Sequence, residues 1–306
     1  MKKYVLLLLL PIALLSCNKD DSMNSDLNAT KNYEESFKGS KNKLGLDFSG
    51  LSPLGPHFRY EGWIIVDGAP VSTGKFNITP AGVMAPSVFN VNKNDLANAT
   101  TFVLTIEPQP DPSDAPSSTH VLAGDFIDGS ASLSISHGAA LGTDFAGASG
   151  TFILATPTTS TTADELSGIW FLDLGSGSPM VGLDLPDLPA GWIYEGWTVI
   201  EGVPVTSGKF MEVDDFDLDD PYSSSMNPGP PFPGEDYVMN APSGLTFPTN
   251  ISGGLGVISV EPYPDNGDEP FAIKPLVGSI PQDAMDHYNY PMAINAGSFP
   301  TGTATK

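Results

Sequence analysis

The sequence predicts an all-β protein made of two tandem antiparallel β-sandwich domains related by internal duplication. Three observations carry that expectation. One pattern is written twice, as YEGWIIVDGAPVSTGKF at 60–76 and as YEGWTVIEGVPVTSGKF at 194–210. Glycine and proline are abundant, 32 and 29 among 306 residues, which fits many short strands joined by turns. Apolar residues alternate in short runs, and long helical patterns are missing.

The first domain begins near Leu44, where LGLD at 44–47 matches VGLD at 181–184 and extends the repeat upstream. The apolar run 63–66 leads into Asp67-Gly68 and resumes at 71–78, which reads as a β-hairpin. Pro70 and Pro204 belong at a turn or strand start, since proline would remove a ladder donor from a central strand. Next, TTFVLTIE at 100–107 places Phe102, Leu104 and Ile106 on one face and closes on Glu107-Pro108; GVISVE at 256–261 closes on Glu261-Pro262. Both copies then cross a Pro- and Asp-rich loop, 109–118 or 263–270, to an apolar segment ending at Gly124 or Gly278, with equal spacing from Glu to Gly. Agreement across separated blocks marks a duplication. Further strand-like runs are 131–137, 150–156 and 168–174. The Thr-rich, aperiodic segment 157–165 places the boundary there, giving sandwiches over 44–160 and 166–306, with 298–305 corresponding to 150–156.

Ahead of these lies a sorting signal over 1–16: Lys2 and Lys3, the apolar run 5–15, and Leu14-Leu15-Ser16 directly before Cys17. The apolar run is too short to cross a hydrocarbon layer of ~30 Å as a helix. Cys17 is the chain's one cysteine, which excludes an intramolecular disulfide framework and CxxC-type zinc or redox sites. Leu-Leu-Ser-Cys resembles the lipobox of bacterial lipoproteins, which implies acylation of Cys17 and removal of the signal. Each buried methylene contributes about 0.8 kcal/mol, so several acyl chains such as palmitate anchor stably to a membrane. Lys19-Asp20-Asp21 resembles the acidic tag that sends some Bacteroidetes lipoproteins to the outer leaflet of the outer membrane, which implies a surface-exposed envelope protein. Residues 17–43 read as the lipidated cysteine and a flexible tether, being too polar to offset their ordering entropy by burial.

Charge narrows the partners. Thirteen Lys+Arg against 36 Asp+Glu give a net charge of -23, a surface that repels phosphate backbones and argues against nucleic acid. The copies differ mainly by an insertion at about 211–236 that contains EVDDFDLDD. There Asp215, Asp217 and Asp219 alternate as in calcium loops, although the glycine and distal Glu of an EF-hand are absent; the alternative is a solvated acidic loop. The histidines at 57, 120, 137 and 287 share no spacing, and no HExxH, G-x-S-x-G, P-loop or GxGxxG occurs, so no catalytic residue is assigned and a non-enzyme is expected. Tyr60 and Tyr194 are candidate stacking platforms for a sugar or peptide, whereas Trp63 and Trp197 are expected as the core aromatics of the sandwiches.

Each copy resembles the extracytoplasmic C-terminal domain of the anti-sigma-K factor (RskA) family. The matching positions are Tyr60, Trp63, Gly68, Pro70, Val71, Gly74, Phe76, Glu107 and Pro108, and then Tyr194, Trp197, Gly202, Pro204, Val205, Gly208, Phe210, Glu261 and Pro262. The Gly-Gly-Ser that often follows Glu-Pro in the family is replaced by Gln109-Pro110-Asp111 and Tyr263-Pro264-Asp265, and the cytosolic sigma-binding helices and membrane span are missing. The resemblance therefore implies an extracellular binding or sensing module that meets a glycan, peptide or envelope protein, and no cytosolic sigma factor. Alternatives are a calcium-dependent or other hydrolase of unrecognised type, and a structural surface lipoprotein. Calcium is the one cofactor the sequence raises.

Overall fold

A computed structural model describes residues 42–264 and 267–306. The signal over 1–16, Cys17, the tether as far as residue 41, and Asp265 lie outside the described residues. Strands dominate. In chain order they are β1 (Lys43–Ser49), β2 (Phe58–Val66), β3 (Ala69–Ile78), β4 (Met84–Ala85), β5 (Val88–Asn90), a short helix α1 (Lys93–Asn98), β6 (Thr101–Pro108), β7 (His120–Asp125), β8 (Ser130–Leu133) and β9 (Ser149–Leu154). They continue as β10 (Gly168–Trp170), β11 (Leu172–Asp173), β12 (Met180–Val181), β13 (Leu183–Asp184), β14 (Trp192–Ile200), β15 (Val203–Phe210), β16 (Gly234–Asp236), β17 (Leu255–Pro262), β18 (Leu276–Ser279), β19 (Tyr290–Ile294) and, after a 3-10 turn at Ala296–Ser298, β20 (Thr301–Thr305). The helix, too short to show a period, starts where the Asn92 side chain accepts the Asn94 amide at 2.8 Å. No helix among the described residues is long and apolar enough to cross a membrane.

The strands form a sheet ordered β4-β3-β2-β6-β7, a second ordered β5-β1-β20-β8, a third ordered β15-β14-β17-β18-β19-β9-β10-β16 with β13 also on β9, and the pair β11-β12. The twin patterns are the hairpins β2–β3 and β14–β15, each backed by its Glu-Pro strand, β6 or β17. Both hairpins turn on a pair of residues at positive φ, Asp67 (51°) with Gly68 (79°) and Glu201 (52°) with Gly202 (85°). That geometry matches the right-handed strand twist and explains the Asp-Gly and Glu-Gly dipeptides. Both hairpins also shift register opposite the start of the Trp block, between Gly62 and Trp63 and between Glu195 and Trp197. Gly74 and Gly208 lie opposite this irregularity at φ 123° and 101°, values that favour glycine and account for the Gly before Lys-Phe.

An apolar core runs through both copies within one compact unit, residues 42–306. Tyr60 stacks on Phe76 and Tyr194 on Phe210, each pair with ring centroids 5.6 Å apart. The boundary expected at 157–165 needs correction in one respect. Strand β9, read as the end of the first sandwich, bonds β13, β10 and β19, while β20 lies between β1 and β8. Alternation assigns a strand's buried face and carries no information about its neighbours, so the pairing was not readable from either run.

Candidate functional site

The recurring side chains are committed to internal bonds. Tyr60 and Tyr194 are buried and donate their hydroxyls to the carbonyls of Ser52 at 2.8 Å and Pro186 at 2.6 Å. Burial raises both phenol pKa values far above the ordinary range. The expectation of exposed stacking platforms is therefore corrected: packing on Phe76 and Phe210 turns both rings inward. Trp63 and Trp197 are buried too. Trp63, however, packs with Val103, Ala123 and Ala140, a small cluster apart from the main core.

From each tryptophan the same chain of bonds leads outward. Trp63 Nε1 donates to Thr105 Oγ1 at 2.9 Å and Trp197 Nε1 to Ser259 Oγ at 2.8 Å. Those hydroxyls donate to Glu107 and Glu261, which also accept the backbone amides of Ser117 and Phe271 at 2.9 Å. On the neighbouring strand, Glu61 accepts the Ser72 hydroxyl and pairs with Lys75 at 3.5 Å; Glu195 accepts the Thr206 hydroxyl at 2.6 Å and pairs with Lys209 at 3.4 Å. Lys75 reaches on to Asp111 at 2.7 Å, and the position matching Asp111 in the second copy is Asp265. Four buried carboxylates are thus held by donors from their own sheets and from the loops that follow β6 and β17, as burial of charge demands.

The insertion is where the copies part. Its acidic stretch 212–220 is mostly exposed, as the solvated-loop alternative expected, but the insertion does not stay in water throughout: β16 pairs with β10, Glu235 and Asp236 are fully buried, and Tyr237 just beyond is sealed beside Tyr222 and Phe247 at 5.9 and 5.5 Å. Glu235 accepts the Ser223 hydroxyl, the Asp236 amide at 3.0 Å and the Tyr222 amide at 3.2 Å. Asp236 accepts Thr158 N at 2.8 Å, the Thr158 hydroxyl, and Trp170 Nε1 at 2.8 Å. Burial, offset in part by the Ser223 and Tyr222 bonds, pushes Glu235 up to about 8. Asp217 is pushed up to about 7, chiefly by burial and also by the charges of Asp220 and Asp219. Burial raises Asp236 as well.

Calcium ligation expected three carboxylates to converge, and they do not. Asp217 turns inward to accept Gly234 N at 3.0 Å, whereas Asp215 and Asp219 are exposed and Asp215 accepts the Phe216 amide at 2.8 Å. The segment passes through turns and bends, so it lacks the extended alternation on which the calcium reading rested. Among the described residues no group of three His, Cys, Asp or Glu side chains is placed to hold a metal ion.

Between β15 and the insertion lies a groove of about 360 Å³ lined by Thr206, Lys209, Leu218, Asp219, Asp220 and Pro221. Its far wall is tied to the sheet by the Leu218 amide, which donates to the Lys209 carbonyl at 2.7 Å. Leu218 on its wall is 56% exposed, and Phe216, two residues earlier, is 54% exposed. A larger hollow of about 560 Å³ lies at the turn of the β14–β15 hairpin and presents Glu201, Asn250, Ser252 and Gln282. Of the two, the groove offers both signs of charge, a hydroxyl and apolar surface, a set suited to orienting a polar ligand and covering part of it. The sequence marked the insertion as distinctive but missed Glu235, Asp236 and Tyr237. The available signal was GEDYV following a Pro-rich run, an acidic pair set directly against an apolar pair. No protein-family model, curated protein or solved structure matches the chain.

Proposed function

We propose that the protein is a non-catalytic binding or sensing module of the cell envelope, held at the outer membrane and facing outward through acylated Cys17. In this reading two sandwich halves, similar to RskA-type extracytoplasmic domains and free of sigma-binding activity, form a scaffold, and the second half presents the ligand groove. One observation carries it. The residues that recur in both copies spend polar atoms on matching internal bonds, while the segment that differs brings Leu218, Asp219, Asp220 and Pro221 over Thr206 and Lys209 of β15 to form the groove. Scaffold and variable loop divide in this way in many binding proteins. The ligand class is a peptide or glycan strand of the envelope, because the groove is open and sets polar side chains beside apolar Leu218 and Pro221.

Photo-crosslinking on intact cells tests the reading. A photoreactive residue at Leu218 in the full chain captures an envelope protein or polymer, and the same residue at exposed Ile127, on the β7–β8 turn, does not. Equal capture at both positions, or none at either, would overturn it.

A further inference from the structure

Strands β9 and β20 occupy matching positions in opposite halves of the molecule. In the first half β20 pairs Ala304 with Leu46 and Thr303 with Asp47, with β8 on its other side. In the second half β9 pairs Gly150 with Leu183 and Ser149 with Asp184, with β19 on its other side. Leu46-Asp47 and Leu183-Asp184 are the same point of the repeated LGLD and VGLD segments. Each half is therefore completed by a strand that the sequence order assigns to the other.

The bonds that hold β20 come from the first half. The Lys306 amide donates to Gly129 O at 2.9 Å, and Lys306 Nζ donates to Ala99 O at 2.6 Å and sits 4.7 Å above the Phe126 ring. Just upstream, Phe299 packs on Phe145 at 5.7 Å. The attachment to the second half ends at Ser298, whose hydroxyl donates to Lys274 O at 3.1 Å. Within β20 only Ala304 is buried, at 0% exposure, and Thr303 faces solvent. Main-chain pairing on both sides, a single apolar contact and the Lys306 clamp thus hold the strand, as in recognition by strand addition.

We infer that the channel between β1 and β8 is a strand-acceptor site and that β20 is its detachable ligand, recognised through backbone pairing, Ala304 and Lys306. The site accepts an extended segment of small residues with a buried alanine and a lysine two positions after it, and it accepts that segment in trans.

The test uses a chain ending at Ser298 and a synthetic peptide covering 299–306. The shortened chain loses amide-exchange protection in β1 and β8 and keeps it in β14 and β17. The peptide restores protection at one equivalent, a Thr303→Lys peptide restores it as well, and an Ala304→Asp peptide does not. Unchanged protection in β1 and β8 after truncation, or restoration that ignores the Ala304 substitution, would overturn the inference. Should the shortened chain fail to fold, the full chain is cut at a protease site placed over 296–298. The cleaved fragment then stays bound through gel filtration and leaves at a faster rate in the Ala304→Asp protein; immediate loss of the unsubstituted fragment would overturn the inference.

Discussion

Replacing Glu235 by glutamine reshapes the pH dependence of stability in a way that the insertion's burial dictates. In the folded chain this carboxyl titrates at about 8, against an ordinary value of 4.5. A raised acid pKa means that the folded state holds its proton more tightly than the unfolded state. Glu235 therefore has no pH-dependent cost below the unfolded pKa, and stability is lost as pH climbs from there to the folded value. Within that window the loss is about 1.4 kcal/mol per pH unit, or about 3 kcal/mol from about pH 5 to about pH 7. Glutamine cannot ionise, so this slope disappears. In exchange, its amide group meets the Tyr222 amide or the donors on the other oxygen, a pH-independent cost of about 1–3 kcal/mol. The variant is thus the weaker protein at pH 5 and approaches or passes the parent by pH 8. Urea unfolding at intervals of half a pH unit reads the difference in slope, and the lowered acids Asp111 and Asp125 cancel because both proteins contain them. Parallel curves for the two proteins would refute the burial argument for the insertion.

Four further outcomes follow from the same contacts. Tyr60→Phe and Tyr194→Phe each cost about 1 kcal/mol in urea unfolding, the value of one buried hydroxyl bond, and leave envelope capture unchanged. Gly208→Ala costs more than Gly74→Ala: both positions have positive φ, but the added methyl at 208 strikes the Asp217 carboxyl and at 74 meets only the Phe89 ring edge, so melting temperatures should separate the two. Addition of calcium leaves the melting temperature unchanged, since Asp217 is turned inward onto Gly234 N while Asp215 and Asp219 are exposed; a rise that Asp217→Asn abolishes would restore the calcium reading. Cys17→Ser releases the protein from membranes and removes labelling by radioactive palmitate.

The hairpins were legible because their turns need residues that tolerate positive φ, and Asp67-Gly68 announces that need in two letters. Strand β6 was legible because Phe102, Leu104 and Ile106 mark one buried face. Neighbour choice was not: β9 and β20 are short, weakly patterned runs, and only main-chain pairing tells which edge each one joins. Trp63 shows a related limit. Its burial could be anticipated, but a sheet covered on both sides does not reveal in its sequence which face a large aromatic takes. The insertion misled for a different reason. Acidic residues usually stay in water, and Glu235 and Asp236 are buried only because Ser223, Thr158 and Trp170 arrive with donors, two of these from more than sixty positions away.

The division between repeated scaffold and variable groove is tested most directly by capture from intact cells with two variants of the full chain. One carries Leu218→Ser, Asp219→Asn and Asp220→Asn along the groove, and the other carries Tyr194→Phe in the scaffold. The groove variant should keep its melting temperature and lose the envelope partner, while the scaffold variant melts earlier and retains it. Undiminished capture by the stably folded groove variant would contradict the account.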